Sequence, residues 1–332
     1  MRTIIRAKRT VPLLALALTL LAGLITTAAA SATSPPRHRI HLLTSGLQGG
    51  LGSTVGPGGV LYVTEGEAGK ITRVDPRTGH TSTFPRGLPK RIAYVGVGGA
   101  MDIAFVHQTA YVLVTLVGPD VGGTDVVGIY RIDGKNRATV IADIGSWSIA
   151  HPPTTDFFVP SGVQYAMQSS RGGLLVTDGH HNRLLWVSLD GGISQIATLP
   201  NVAPTGLDLR HHRVYLAEAG PVPHLPADGK IVTVTRRSPV AQEIASGAPL
   251  LVDVEFGPDG KLYALSQGHF TPGHPEGSPA DPDTGTLQRV DRSGTMSPVA
   301  TGLDRPTSVE IIGHRAYVVT LDGEIWSIAL PR

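Results

Sequence analysis

The segment Gly257-Pro258-Asp259-Gly260-Lys261-Leu262-Tyr263-Ala264-Leu265-Ser266 decides the fold. Its first four residues are typical of a tight turn, and its last five form a short, nearly all-apolar strand sequence. Stretches of the same character recur at residues 61–65, 110–114, 174–178, 214–218 and 316–320. The second residues of the six copies are 49, 64, 40, 48 and 54 positions apart. This spacing is typical of four-stranded propeller blades with loop insertions.

Each copy is followed by a second apolar strand sequence and then by a turn. These second strands fall at residues 70–74, 128–132, 183–187, 230–234, 286–290 and 324–328. Many glycines (41) and prolines (26), with no collagen period, favour short elements joined by turns over long helices. The pattern therefore predicts an all-β protein with six blades.

The sixth blade has only three strands before the end of the sequence. Residues 39–47 supply a fourth strand whose ending, Ser45-Gly46-Leu47, resembles the blade endings Arg86-Gly87-Leu88 and Thr301-Gly302-Leu303. A strand from the N-terminal part that completes the last blade leaves no open edge. We predict one domain over residues 39–330, a six-bladed β-propeller whose last blade is closed by the N-terminal strand. Two β-sandwiches would need a linker, and none is visible.

The first thirty residues read as a signal peptide. A basic start (Arg2, Arg6, Lys8 and Arg9) precedes an apolar run over 11–25 and the small residues Ala28-Ala29-Ala30. The apolar run is shorter than the roughly 20 residues that span a bilayer, although an uncleaved N-terminal anchor is the alternative. We predict a signal peptide over 1–30, a flexible mature N-terminus over 31–38, and a secreted protein, extracellular or, in a Gram-negative cell, periplasmic.

Charge and composition limit the classes of partner and of chemical site that we expect. The signal segment carries four basic residues and no acidic one, so its removal changes the formal net charge from +2 to about −2. Without a basic stripe, nucleic acid is excluded as an expected partner. No later apolar segment is long enough to cross a membrane. The chain has no cysteine, which excludes disulfides, thiol catalysis and cysteine metal sites.

Long loops fall on one face of the predicted propeller. In an up-and-down blade, the A–B and C–D turns share one face, and these are short here. The B–C loops and the blade-to-blade connections share the other face, and they hold nearly every insertion: 86–99, 116–127, 143–160, 219–229 and 267–285. Long loops on one rim of a rigid scaffold are typical of a binding surface. We expect a ligand at this mouth of the channel.

Aligning the innermost strands identifies the residues closest to the axis. The equivalent positions are Gly52, Asp102, Gly162, Gly206, Asp253 and Ser308. The two aspartates would face one another across the ring and are candidates to hold Ca²⁺, share a proton, or bind a polyol or an amine. The alternative is that each aspartate only accepts hydrogen bonds from strand amides or water. His151 and Asp156, in the blade 2-to-3 connection, are further candidates to overlook the channel.

These features together resemble the ScyD/ScyE family of secreted bacterial propellers. The resemblance rests on the signal peptide, 61–65, 174–187 with its Asp178…Asn182 turn, 204–207, 251–260 and 304–309. It implies the propeller fold and export, and it assigns no reaction. Broader kin are the gluconolactonase-like and NHL-type six-bladed propellers.

Two functions follow as hypotheses. The first is a secreted propeller that binds a small molecule, glycan or protein partner at the loop-rich mouth, through Asp102, Asp253, Ser308, His151 and Asp156. The second is a Ca²⁺-assisted, lactonase-like hydrolase that uses Asp102 and Asp253, although the lactonases place side-chain ligands where Gly52, Gly162 and Gly206 stand here. A quinone-dependent sugar dehydrogenase is a weaker alternative, because no matching histidine and arginines are evident.

Overall fold

The computed structural model describes residues 40–235, 237–275 and 277–331. In this part of the chain, twenty-four strands form six four-stranded antiparallel sheets. In chain order the strands are β1 (Ile40–Thr44), β2 (Gly50–Gly56), β3 (Val60–Glu65), β4 (Lys70–Val74), β5 (Thr81–Arg86), β6 (Gly99–Val106), β7 (Thr109–Thr115), β8 (Gly128–Gly134), β9 (Arg137–Asp143), β10 (Gln164–Ser170), β11 (Gly173–Asp178), β12 (Arg183–Ser188), β13 (Ile193–Thr198), β14 (Pro204–Arg210), β15 (Arg213–Glu218), β16 (Lys230–Thr235), β17 (Ser238–Ser246), β18 (Leu251–Phe256), β19 (Leu262–Ser266), β20 (Gly285–Val290), β21 (Met296–Leu303), β22 (Pro306–Ile312), β23 (Arg315–Thr320) and β24 (Ile325–Ala329). The predicted six-bladed β-propeller is confirmed.

The N-terminal strand closes the last blade. The sixth sheet has the order β1-β24-β23-β22, and β1 pairs antiparallel with β24. Ile40 lies opposite Ile328 and Leu42 opposite Trp326, so the predicted closure is confirmed. The pairing covers the outer backbone edge of β24, which would otherwise be free to pair with another chain.

Turn chemistry explains how the blades are built. In the segment that joins β18 to β19, the amide of Gly260 donates to the carbonyl of Gly257 at 2.8 Å. Gly260 has a φ of +77°, a left-handed conformation that glycine adopts without strain. The turn therefore reverses the chain directly into the next apolar strand.

The core is divided among the six junctions between neighbouring blades. One hydrophobic cluster fills each junction, including the junction between blade 6 and blade 1, where Leu61 and Val63 pack with Tyr317 and Val319. Each blade is apolar on both faces because it packs against a neighbouring blade on either side. The last junction also contains a hydrogen bond of 2.8 Å between the hydroxyls of Ser53 and Ser308.

Helical structure among the described residues is short and lies in the long connections. Helix α1 (Ile144–Ala150) begins in the blade 2-to-3 connection, where the Asp143 side chain accepts a hydrogen bond of 2.8 Å from the Ser146 amide. A single 3₁₀ turn spans Pro119–Val121. Within the described residues, no helix has the length and apolar character needed to cross a membrane. The predicted signal peptide (1–30) and mature N-terminus (31–38) lie outside the described residues.

Candidate functional site

A cavity of about 1250 Å³ occupies the channel and opens among the long loops. Its inner wall is formed by the innermost strands β2, β6, β10, β14, β18 and β22. Its mouth is formed by B–C loops and blade-to-blade connections, among them residues 94–97, 120–122, 156–159, 219–222 and 277–279. The cavity is larger than the 300–1000 Å³ typical of sites for small molecules. The loop-rich face thus surrounds a concave space that is continuous with the channel.

Apolar side chains are exposed at this mouth. Tyr94, Phe157, Phe158 and Val222 all line the cavity, and their side chains are between 40% and 75% exposed. Large exposed apolar side chains gathered around a concavity are typical of surfaces that bind a partner or ligand. The phenol of Tyr94 donates a hydrogen bond to the carbonyl of Val121, which holds one loop of the mouth to the next.

His180 fixes another part of the mouth. Its Nε2 accepts hydrogen bonds from the amides of Phe158 (2.8 Å) and Val159 (3.0 Å), and its ring contacts the Phe158 ring edge-on. Burial and the neighbouring His181 lower the pKa of His180. A neutral imidazole whose Nε2 is an acceptor orients the Phe158 loop.

Asp102 and Asp253 both line the cavity, as predicted from their strand positions. Asp102 on β6 accepts hydrogen bonds from the amides of Ile103 (2.8 Å) and, in the next blade, Met167 (2.6 Å). Asp253 on β18 does the same with the amides of Val254 and, in the next blade, Val309, both at 2.8 Å. Each carboxyl group therefore joins its own inner strand to the inner strand that follows.

Burial changes the protonation of both groups. It raises the pKa of Asp102 well above the ordinary value, and the nearby Asp253 raises it further. Burial likewise raises the pKa of Asp253 to about 7, against the effect of the amide hydrogen bonds. Asp253 therefore takes up or releases a proton near neutral pH, unlike an aspartate in water, and burial shifts the pKa of Asp102 in the same direction.

Three more carboxyl groups lie on the inner strands, at positions that the sequence alignment did not single out. Asp208, Glu255 and Glu310 occupy one register position in blades 4, 5 and 6, opposite Tyr215, Tyr263 and Tyr317. We call Asp102, Asp208, Asp253, Glu255 and Glu310 the channel carboxyl cluster. The sequence contained the information needed to find two of them. Glu255 and Glu310 stand two residues after the aligned positions Asp253 and Ser308, and side chains two residues apart lie on the same face of a strand.

The members of the cluster influence one another. Burial raises the pKa of Glu255 well above the ordinary value, with Glu310, Asp208 and Asp253 adding to the shift. Burial and the same aspartates raise the pKa of Glu310, with Asp102 contributing as well. Asp208 accepts hydrogen bonds from the Gln168 side chain (3.0 Å) and from the amides of Leu209 and Phe256. Burial and the neighbouring like charges therefore disfavour full ionisation of Asp102, Asp253, Glu255 and Glu310.

The other predicted residues divide into two groups. Ser308 and Asp156 line the cavity, Ser308 on the wall and Asp156 at the mouth. His151 does not line it. Its ring stacks on Trp147 at 4.4 Å and its Nδ1 lies 2.8 Å from the Trp147 carbonyl, so it ends helix α1.

One position of the inner-strand alignment is wrong. Gly162 lies outside β10, at a φ of +76° beside the Asp178 side chain, whereas Ala166 stands where Gly52 and Gly206 stand in their blades. The register of β10 is irregular between Gln164 and Met167, as it is between Gly50 and Ser53 and between Pro204 and Leu207, and matching these irregularities places Ala166, four residues after Gly162, at the equivalent position.

A buried ionic network supports the mouth from behind. Arg183 is 1% exposed, and its Nε lies 3.1 Å from Oδ2 of Asp178, which is fully buried. The same guanidinium donates to the Ser148 hydroxyl and to the His151 carbonyl of the helix α1 region. Asp178 stays ionised, since His181 and Arg183 lower its pKa against the effect of burial. These contacts anchor the blade 2-to-3 connection.

The arrangement of the side chains that could act as ligands does not favour binding of a metal ion. Among the described residues, no three histidine, aspartate or glutamate side chains come together in an arrangement that holds a metal ion. Both oxygens of Asp102, and both of Asp253, already accept an amide hydrogen bond. A Ca²⁺ site takes six to eight oxygen ligands.

Comparison of the sequence with protein-family models and with curated proteins gave no match. Solved structures do match. The virginiamycin B lyase of Staphylococcus aureus is 16% identical, with 88% of this chain and 99% of that chain covered and a TM-score of 0.53. The PQQ-bound aldose sugar dehydrogenase of Streptomyces coelicolor is 14% identical (89% and 99%; TM-score 0.59). A gluconolactonase of Xanthomonas campestris is 12% identical (88% and 90%; TM-score 0.57). At these identities the likeness shows the propeller fold alone.

Proposed function

We propose that this protein is an exported propeller of the ScyD/ScyE type that binds a small organic molecule in the channel cavity. The observation that carries the proposal is the cavity itself, which combines an apolar, partly aromatic mouth with a polar wall. An apolar surface with a few convergent polar groups is the usual composition of a small-molecule site. The predicted signal peptide supports export.

The polar wall supports binding more than metal-assisted hydrolysis. The carboxyl oxygens of Asp102 and Asp253 accept hydrogen bonds from amides of their own blade and of the next blade. A bound metal would displace these hydrogen bonds, which join neighbouring blades. Burial also favours their neutral forms, and a neutral carboxyl group is a poor ligand for a hard cation. The hydrolase therefore ranks second.

The quinone-dependent dehydrogenase ranks third. The PQQ cofactor carries three carboxylates and needs basic partners. Among the described residues that line the cavity there is no lysine and no arginine, and six side chains are acidic. The residues present do not fit an anionic quinone.

The proposal is tested with Nile red, a neutral apolar dye whose fluorescence rises in an apolar site. The wild-type protein is expected to bind it with one saturable site. Phe158→Ser and Val222→Ser, which change the apolar mouth, are expected to weaken binding at least about tenfold, since each removes a large buried contact with the ligand. Val240→Ser changes a residue that is 72% exposed and does not line the cavity, so it serves as the control. Absence of saturable binding, or equal binding by all four proteins, would refute the proposal.

A further inference from the structure

The charge of the cavity is one-sided. Six of its lining residues are acidic: Asp102, Asp120, Asp156, Asp253, Glu255 and Glu310. No lysine or arginine lines it among the described residues. A cleft whose acidic side chains are matched by no lysine or arginine can develop only negative charge on those groups, and such charge attracts cations and repels anions. The cavity is therefore unsuited to carboxylates, phosphates and sulfates.

The wall also contains a hydrogen-bond acceptor without a donor. Gln168 lines the cavity, and its Nε2 donates to Oδ1 of Asp208, which fixes the orientation of the amide. Its Oε1 is buried and has no hydrogen-bond partner among the described residues. A buried acceptor in this state is costly unless a donor reaches it. The wall is thus rich in hydrogen-bond acceptors, which favours a ligand that carries hydrogen-bond donors.

The mouth supplies surfaces for an aromatic or apolar body. Phe157, Phe158 and Tyr94 line it, and His180 beside them is held neutral by its two amide donors. Aromatic faces attract organic cations by cation–π interaction, and most strongly where water is excluded. No positive group competes with a ligand at these faces among the described lining residues.

From this combination we infer that the ligand is an organic amine, an apolar or aromatic body that carries an ammonium group. The body lies against the aromatic mouth and the ammonium lies among the acidic side chains of the wall. This inference rests on the proposed small-molecule binding and adds the chemical class of the ligand. A cation also supplies the counter-charge that the channel carboxyl cluster lacks. Binding is then coupled to loss of protons from that cluster, because an ammonium favours the ionised form of Asp253 and of its neighbours Asp102, Glu255 and Glu310.

The test uses three probes with one ring system and different head groups. They are 1-naphthylmethylamine, 1-naphthylmethanol and the anion of 1-naphthaleneacetic acid, which is called the acetate below. Naphthalene fluorescence reports each titration of the mature protein. We expect the amine to bind at least about tenfold more tightly than the alcohol and the acetate not to bind, as one favourable or unfavourable charge contact in a partly buried site changes affinity by this order. The affinity for the amine should fall as salt concentration rises.

Variants of the wall separate charge from shape. Glu310→Gln keeps the size of the side chain and prevents its ionisation, and it should weaken binding of the amine about tenfold while leaving the alcohol unchanged. Thr54→Ser, at the equivalent inner-strand position of blade 1, is the matched control and should alter neither. Thermal unfolding of each variant shows that the fold is retained.

The outcomes distinguish the two proposals. If Nile red binds and the alcohol binds as tightly as the amine, the cavity is a site for neutral molecules, and the amine inference is overturned while the proposed function stands. Preference for the acetate would overturn the amine inference as well. If neither Nile red nor any of the three probes binds, the proposed function itself falls.

Discussion

Gly206 on β14 lies directly against Asp253 on β18 of the next blade. A Cβ atom at Gly206 would overlap Oδ1 of Asp253 and would lie 2.7 Å from the carbonyl oxygen of Val252. Gly52 has the same relationship to Asp102, since a Cβ there would overlap the Asp102 carboxyl and lie 2.7 Å from the Met101 carbonyl. The two channel aspartates thus each occupy space that a glycine of the preceding blade leaves free.

Gly206→Ala is therefore expected to destabilise the propeller. The added methyl group must displace the Asp253 carboxyl from the Val309 amide or separate the two inner strands, at a cost of about 1–3 kcal/mol. Chemical denaturation of the purified variant measures the loss. Gly134→Ala is the control, because a Cβ at Gly134 meets no atom within 4 Å. Equal stability of the two variants would show that Asp253 moves without cost.

The amino-acid pattern predicted the architecture well because the deciding signals are local and repeated. Turn residues and apolar strands recur at blade spacing, so strand count, blade count and the pairing of β1 with β24 could all be derived. The channel aspartates were found for the same reason, since they stand at a fixed distance from each turn. Glu255 and Glu310 were missed because only one position per strand was compared, although strand geometry places residues two apart on the same side.

The remaining differences come from long-range contacts. Pro160-Ser161-Gly162 reads like Pro204-Thr205-Gly206, yet only the second begins an inner strand. Gly162 instead serves the Asp178 turn, where the Val163 amide donates to the Asp178 carboxylate at 3.1 Å. The roles of His151 and Arg183 likewise depend on how helix α1 folds back, and no sequence spacing specifies that contact.

Arg183→Met is expected to be among the most destabilising substitutions outside the apolar core. It leaves the Asp178 charge buried without its guanidinium partner, and losing one member of a buried ion pair typically costs about 3–5 kcal/mol. Lys230→Met is the matched control, since Lys230 has the same position in blade 4 and pairs with Glu243 at 2.8 Å, with side chains that are 37% and 48% exposed. That substitution should cost about 1 kcal/mol or less. Urea unfolding of both variants compares them, and similar losses would contradict a buried ionic anchor.

Removal of β1 tests the closure of the ring and the predicted domain over residues 39–330. A chain that begins at Gly46 lacks the partner of β24 and exposes the edge that includes Ile325 and Ile328, both fully buried in the intact protein. We expect a loss of about 3 kcal/mol, from several strand hydrogen bonds at about 1 kcal/mol each, together with aggregation through the free edge. A chain that begins at Arg39 should match the full mature protein. Calorimetry and light scattering provide the readout, and an unchanged unfolding temperature for the shorter chain would rule out closure by β1.

The channel carboxyl cluster predicts that the protein is most stable in mild acid. Burial raises the pKa of Asp253 from its ordinary 3.8 to about 7. Between these two values the folded protein binds more protons than the unfolded chain, so the free energy of unfolding falls as pH rises from about 4 to about 7 and then levels off. The slope is up to about 1.4 kcal/mol per pH unit for each such group. Glu218, whose pKa burial also raises to about 7, contributes in the same direction.

Aspartates in turns limit the stability of the protein at lower pH. Hydrogen bonds lower the pKa of Asp133, Asp190 and Asp291, so the stability that they contribute is present above about pH 4 and is lost as pH falls below it. Urea titrations at pH 4.5, 6.0 and 7.5 should therefore give decreasing free energies of unfolding in the wild-type protein. Asp253→Asn removes one of the linked protons and should make this slope shallower, whereas Asp190→Asn should leave it unchanged. A free energy of unfolding that increases from pH 4.5 to 7.5 would contradict the stabilising protonation of the channel carboxyl groups.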